Sequence, residues 1–224
     1  MAFVYLSCNA YDETVRIIEE MGHTPVLLSP FKKVYPAVSC HADLFLCKLG
    51  VGNAALSFAA EPLGYEYPEC ASNCAAANNK YFIHNTRITN PELLKKAEDT
   101  GLKIIHVNQG FTRCNLLPFG AGVITSDNGI AKTLHSKTDL EVLVISSGNV
   151  ALKGHEYGFL PGCAGIVDDT VLFNGDLSLH PDEEKITKFI GRMGYRIKDV
   201  PNKTLADIGS IIQLGDRVNP FGGV

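Results

Sequence analysis

The sequence predicts a mixed α/β fold built from about five short β-rich repeats. Two segments, Gly110-Phe111-Thr112-Arg113-Cys114 and Gly158-Phe159-Leu160-Pro161-Gly162-Cys163, share the same spacing from Phe to a following apolar strand. Each then runs on into a helix and a further strand. At 46% apolar residues, a chain of 224 can bury one substantial core, so a single domain over residues 1–224 is expected.

The first unit reads strand, helix, strand. Phe3 to Leu6 is apolar, Tyr11 to Met21 carries Val15, Ile17, Ile18 and Met21 at helical spacing, and Pro25 to Leu28 is extended. Gly22 closes that helix. A second helix, Glu92 to Thr100, has Asn90 as its cap, Pro91 at its first position and Gly101 at its end. Strands Tyr81 to His84 and Lys103 to Val107 flank it. After Cys114 come the strand Val123 to Asp127, a helix near Gly129 to His135 and the strand Glu141 to Ile145. After Cys163 come Val171 to Asp176, a helix near Pro181 to Met193 and the strand Tyr195 to Val200. Further echoes stand at Asp207 to Leu214 and His41 to Cys47, each a short extended segment after a polar or glycine residue. Such units cannot bury a core alone, and arranged around an axis they bring each repeat start to the centre. A central site lined by repeat starts is the expectation. An ordinary α/β sheet with chance Gly-Phe pairs is the alternative. Ala59 to Asn79 reads as a loop over one end of the pore, from its irregularity and its Pro and Asn content.

Twenty basic and twenty-four acidic residues give a formal charge of −4 with neither sign in a block, so nucleic acid and anionic lipid are not the expected partners and small polar metabolites are. No stretch reaches the roughly 18 to 20 apolar residues of a membrane span. The N-terminal segment lacks a basic stretch and a cleavage site, and reads as a strand. Seven scattered cysteines fit reduced thiols and a soluble, cytoplasmic protein, with the oligomeric state open. Cys70 and Cys74 form a lone close pair without a matching second pair, so no metal is expected. Dinucleotide, phosphate-loop and serine-elbow motifs are absent, so no cofactor is expected.

The segments Val107-Asn-Gln-Gly-Phe-Thr-Arg-Cys114, Gly158 to Cys163, His180-Pro181-Asp182 and Asp207-Ile-Gly-Ser-Ile-Ile212 resemble an uncharacterised bacterial branch of the penteins. The resemblance covers about residue 36 to the end. It implies a pentein-like α/β propeller of about five pseudo-symmetric ββαβ repeats. The penteins include deiminases, amidinohydrolases and amidinotransferases acting on guanidinium groups. Their catalytic members pair a His-x-Asp signature with a cysteine after a Gly-rich approach, and His41-Ala42-Asp43 and Gly110-x-x-x-Cys114 are similar to these. The order differs. The nucleophile of the classical enzymes lies near the C-terminus, where this chain has Gln213, so either the repeats are used in permuted order or the chemistry has been lost.

A guanidinium carbon is a poor electrophile, so its attack needs a strong nucleophile, a proton carrier and carboxylates to grip the flat cation. The catalytic candidates are therefore Cys114, His41 and Asp43, with Asp127, Asp176, Asp207, His155 and Cys163 as candidates for substrate binding. Each has a plainer alternative. Cys114 reads equally as an inert buried thiol, His41 and Asp43 as turn residues, Asp127 as a helix cap, His155 as solvated, Asp207 as a turn residue and Cys163 as tight packing. His180-Pro181-Asp182 is better explained as a helix entrance. The expected activity is that of a cysteine-dependent hydrolase, deiminase or amidinotransferase on a small cationic guanidino metabolite. A non-catalytic module binding a small molecule or a protein is the alternative.

Overall fold

The computed structural model describes residues 1–52 and 55–219. Its strands fall into five small sheets, and four of these repeat one design. An antiparallel hairpin is followed by a helix that returns the chain to a third strand, parallel to the second. In the clearest copy β8 (Leu116–Pro118) pairs antiparallel with β9 (Gly122–Thr125), α4 (Asn128–Lys137) crosses over, and β10 (Glu141–Val144) lies parallel to β9 with Val142 opposite Val123. The next copy consists of β11 (Ala164–Val167), β12 (Thr170–Phe173), α5 (Glu183–Arg192) and β13 (Arg196–Lys198). The preceding one consists of β5 (Ala76–Ala77), β6 (Tyr81–His84), α2 (Pro91–Asp99) and β7 (Lys103–His106). Short parallel connections of this kind need a crossover element, which the helix supplies.

The fourth copy joins distant parts of the chain. β14 (Ile212–Leu214) pairs antiparallel with β1 (Phe3–Ser7), Leu214 opposite Phe3, and α1 (Asp12–Glu20) leads to β2 (Thr24–Leu28), parallel to β1. The fifth sheet is reduced to the hairpin of β3 (Leu46–Leu49) and β4 (Leu56–Ala59). Among the inner strands, β14 touches β11 and β3, β3 touches β5, and β5 touches β8. The remaining gap is spanned by the one-turn α3 (Thr112–Asn115), packed on the 3₁₀ turn Leu160–Cys163. This is the ring that the repeats predicted.

Local chemistry explains the elements that the sequence marked best. Asn90 Oδ1 accepts a hydrogen bond from the Glu92 N–H at 3.0 Å, with Pro91 at the first helical position. Gly22 and Gly101 take φ of +82° and +77°, closing α1 and α2 in a conformation that costs other residues strain. Apolar clusters fill the wedges between sheets and helices. In one, Phe119 stands 5.8 Å from Phe189 and 5.3 Å from Tyr195, ring to ring and edge-on. Burying such a side chain contributes about 1.5–3 kcal/mol.

The reading of residues 59–79 as a loop needs correction. Residues 70–78 are buried; they overlap the 3₁₀ turn Glu69–Ala71 and include the inner strand β5. The two asparagines that suggested a loop work inside the protein. Asn73 Nδ2 donates to the carbonyls of Leu44, Ala60 and Glu61, and Asn78 Nδ2 donates to those of Phe119 and Gly120. Among the described residues no helix is long and apolar enough to cross a membrane.

Candidate active site

Each inner strand is preceded by a turn, and these turns meet on one side of the ring. The 3₁₀ turn Ala42–Leu44 before β3 carries His41 at its cap and Asp43 within it. The α3 turn before β8 carries Cys114. The segment before β14 carries Asp207 and Ser210. Donor atoms of His41, Cys114 and Asp207 all lie within 4.8 Å of one another, and so do those of Asp43, Cys74 and Cys114.

Cys114 Sγ donates to Asp43 Oδ2 at 2.9 Å, and Ser210 Oγ donates to the same oxygen at 2.7 Å. The Asp43 backbone N–H donates to the Gly209 carbonyl, which ties the first turn to the last. Asp207 is held by two backbone donors, Phe159 N–H on Oδ2 and Gly209 N–H on Oδ1, each at 3.0 Å. Glycines make this closeness possible. A Cβ at Gly158 or Gly162 would collide with Asp207, and one at Gly209, where φ is +70°, would overlap the His41 ring.

The electrostatics follow from burial. His41 is 3% exposed, and loss of solvation pulls its pKa from 6.5 to about 4 against the attraction of Asp43, so the ring is neutral at pH 7. Burial lifts Asp207 from 3.8 to about 6, against the pull of its two backbone donors and of Arg113. The Cys114 thiol is pushed well above its usual range by its hydrogen bond with Cys74, then by burial and the Asp43 charge. At rest the sulfur is therefore a thiol, not a thiolate. Arg113, next in sequence, is partly buried and spends its guanidinium on the carbonyls of Leu116, Pro161 and Ala164.

Above these residues lies a cavity of about 360 Å³, walled by Tyr35, Phe111, Phe159 and the loop from Leu152 to Tyr157, with His41, Cys114 and Asp207 on its lining. It opens into a hollow of about 840 Å³ that shares Tyr35, His41, His155 and Asp207. His155 is exposed, with its ring centroid 6.3 Å from that of Tyr35. A pocket of this size, apolar-walled with a few convergent polar groups, is the usual form of a small-molecule site.

Three predicted residues are not brought to this cavity. Asp127 caps α4, accepting from Gly129 N–H at 2.7 Å and Ile130 N–H at 2.9 Å. Asp176 caps the 3₁₀ turn Leu177–Leu179, accepting from Ser178 N–H, and also binds Asn202 N–H. Cys163 is fully buried and donates to the Leu160 carbonyl. Gln213 is likewise structural, exchanging hydrogen bonds with Asp168. In His180-Pro181-Asp182 the Asp182 carboxylate accepts from Ser146 N–H and Lys185, consistent with a helix entrance. Sequence reasoning missed Ser210 and Cys74 as neighbours of the site. A signal for Cys74 existed, because it precedes β5 by the same two residues that separate Cys114 from β8.

Four ββαβ units and a fifth reduced to its hairpin, ranged around one centre, define a pentein-like fold. Solved structures bear this out. The chain is similar to dimethylarginine dimethylaminohydrolase (DDAH) from Pseudomonas aeruginosa, a cysteine-to-serine mutant complexed with citrulline, at a TM-score of 0.52 and 12% identity over 88% of this chain and 91% of that one. It is equally similar to a histidine-to-glycine variant of dimethylarginine dimethylaminohydrolase, solved as an adduct with S-methyl-L-thiocitrulline, at a TM-score of 0.52 and 13% identity over 88% of this chain and 91% of that one. No curated protein matches the chain. Residues 51–212 match the family described as "Family of unknown function (DUF6873)", and the chain belongs to that family.

Proposed function

We propose that the protein is a cysteine-dependent enzyme of the guanidine-modifying class, a hydrolase of deiminase type or an amidinotransferase, acting on a small cationic guanidino compound. The observation that carries this reading is the meeting of one thiol, one imidazole and one carboxylate, Cys114, His41 and Asp207, on the lining of one cavity, with the Asp43 carboxylate buried behind them and bonded to the Cys114 sulfur. In the structural neighbour from P. aeruginosa the bound citrulline carries the ureido group that hydrolysis of a guanidinium leaves.

The resting charges shape the mechanism. A guanidinium entering the cavity pairs with Asp207 on its lining, is attracted by the Asp43 carboxylate behind Cys114, and brings positive charge beside the sulfur, which favours the thiolate that burial disfavours. The thiol proton passes to neutral His41 as sulfur forms a bond to the guanidinium carbon. The bond to the leaving nitrogen then breaks as His41 returns that proton, releasing ammonia or an amine. His41, neutral again, takes a proton from water as its oxygen adds to carbon. The C–S bond breaks, and the departing sulfur recovers a proton from His41. The sum is guanidino compound plus water to ureido product plus amine; in a transferase an acceptor amine replaces water.

The test is incubation of the purified protein with a panel of guanidino compounds, reading ureido product and released amine, with a mass-spectrometric search for an adduct on Cys114. Turnover that Cys114→Ser abolishes supports the reading. One observation favours a second reading, a non-catalytic ligand-binding module: hydrogen bonding to Cys74 and burial hold the Cys114 thiol neutral. Ligand-induced thermal stabilisation with neither product nor adduct decides for that module and against the enzyme.

A further inference from the structure

The protein beneath the cavity holds a soft donor that the proposed reaction does not use. Cys74, in the turn before β5, is fully buried, and its sulfur lies within 4.8 Å of the Cys114 sulfur and the Asp43 carboxylate. Cys114 is shared with the second set, where His41 and Asp207 stand within the same limit. Arg113, the cation nearby, attracts Asp43 and Asp207 from a distance but spends its N–H groups on backbone carbonyls. Two polar atoms in the cluster, Asp43 Oδ1 and His41 Nδ1, have no hydrogen-bond partner among the described residues, and both side chains are more than nine-tenths buried. Native interiors rarely leave such atoms unpaired unless a ligand meets them.

We propose that Cys74, Cys114 and Asp43, with His41 as the fourth ligand, bind a thiophilic divalent cation of the zinc class. Two sulfurs, a carboxylate and an imidazole suit tetrahedral zinc, whereas magnesium and calcium require oxygen ligands. The Cys114 sulfur and Asp43 Oδ2 already stand 2.9 Å apart and Cys74 lies within 4.8 Å of both, so these three close by small side-chain movements, while His41, grouped with Cys114 and Asp207, turns toward them to complete the set. On binding, each thiol releases its proton to solvent and the sulfur becomes a thiolate ligand. The ion then occupies the sulfur that would attack a guanidinium, so metal and guanidino compound exclude each other.

The test adds cobalt(II), a spectroscopic stand-in for zinc, to the reduced full-length protein. The expected spectrum has the ligand-field bands of tetrahedral cobalt and thiolate-to-cobalt charge-transfer absorption of two sulfurs, both erased by zinc. Cys74→Ser is expected to halve the charge-transfer intensity, and Cys114→Ser likewise, while Cys163→Ser leaves it unchanged. Should Cys74→Ser fail to fold, X-ray absorption on the zinc-loaded natural chain counts the sulfurs directly, two being expected at about 2.3 Å. An octahedral spectrum without charge transfer, a single sulfur ligand, or a Cys74→Ser spectrum identical to that of the natural chain overturns the proposal. None of these readings requires turnover. A protein inactive on every guanidino compound leaves the metal result standing, and a protein that binds no metal leaves the proposed reaction standing.

Discussion

Asp207 and His41 should pull the pH dependence of stability in opposite directions, and replacing either one should expose the other. His41 has a folded pKa of about 4 against 6.5 when solvated, so the unfolded chain binds the extra proton. Its contribution to stability therefore grows as pH rises through that window, by about 3 kcal/mol at 1.36 kcal/mol per unit. Asp207 is the reverse case. Its folded pKa of about 6 lies above 3.8, the folded state binds the extra proton, and about 3 kcal/mol is lost as pH rises from about 4 to 6. His84, buried and also held at about 4, adds a rise of the same sign and size as His41. The natural chain should thus gain about 3 kcal/mol between pH 4 and 7 from these groups, Asp207→Asn about twice that, and His41→Asn close to nothing. Urea unfolding at several pH values measures the slopes. A constant offset is expected in Asp207→Asn, because an amide cannot accept from both Phe159 and Gly209, but the offset does not change the slope. If all three proteins share one slope, these two groups do not lie in the dry surroundings described above.

Gly209→Ala should disorder the site, since its Cβ meets the His41 ring and its φ of +70° strains any side chain; a loss of about 1–3 kcal/mol in thermal or urea unfolding is expected, with loss of any guanidine turnover. Alkylation of the native protein by iodoacetamide near neutral pH, followed by peptide mapping, should label exposed Cys8 first and Cys114 at least about tenfold more slowly, and Asp43→Asn should speed Cys114 by removing the charge that opposes its thiolate. Cys114 labelling as fast as Cys8 would contradict the resting thiol. Asn73→Ala should cost about 2–3 kcal/mol in urea unfolding, because it strips one donor from three carbonyls at once; a change near zero would mean that water reaches them.

The repeats were legible where a unit carries its own punctuation. Asn90, Pro91 and Gly101 mark α2 because capping is a local matter, and the Gly-Phe…Cys segments mark two units because the same turn must be made twice. The β3–β4 hairpin and β5 gave weaker signals for physical reasons. The former lacks the helix and third strand that give the other units their periodicity, and β5 consists of two alanines, too short to show an alternating pattern. Asn73 and Asn78 read as loop residues because a sequence shows that an asparagine is polar, not that buried carbonyls surround it. The pairing of β1 with β14 joins residues more than two hundred positions apart, beyond the reach of any local pattern.

The same distinction sorts the site residues. Within a ββαβ unit a residue just before the first strand stands at the ring's inner turns, as His41, Asp43, Cys114 and Asp207 do. A residue just after the second strand instead hands the chain to a helical turn, and there the nearest unmet need is that turn's own backbone N–H groups. Asp127 after β9 and Asp176 after β12 occupy this second position in consecutive units, and each answers it by capping. The repeat that made these two acids look equivalent to one another was thus read correctly, and its phase is what separates a cap from a ligand. Applied to Cys74, the same phase places a thiol at the inner turn before β5, beside Cys114. Two thiols at equivalent inner turns, each within 4.8 Å of the Asp43 carboxylate, are where the proposed metal and the proposed guanidinium would compete for one sulfur.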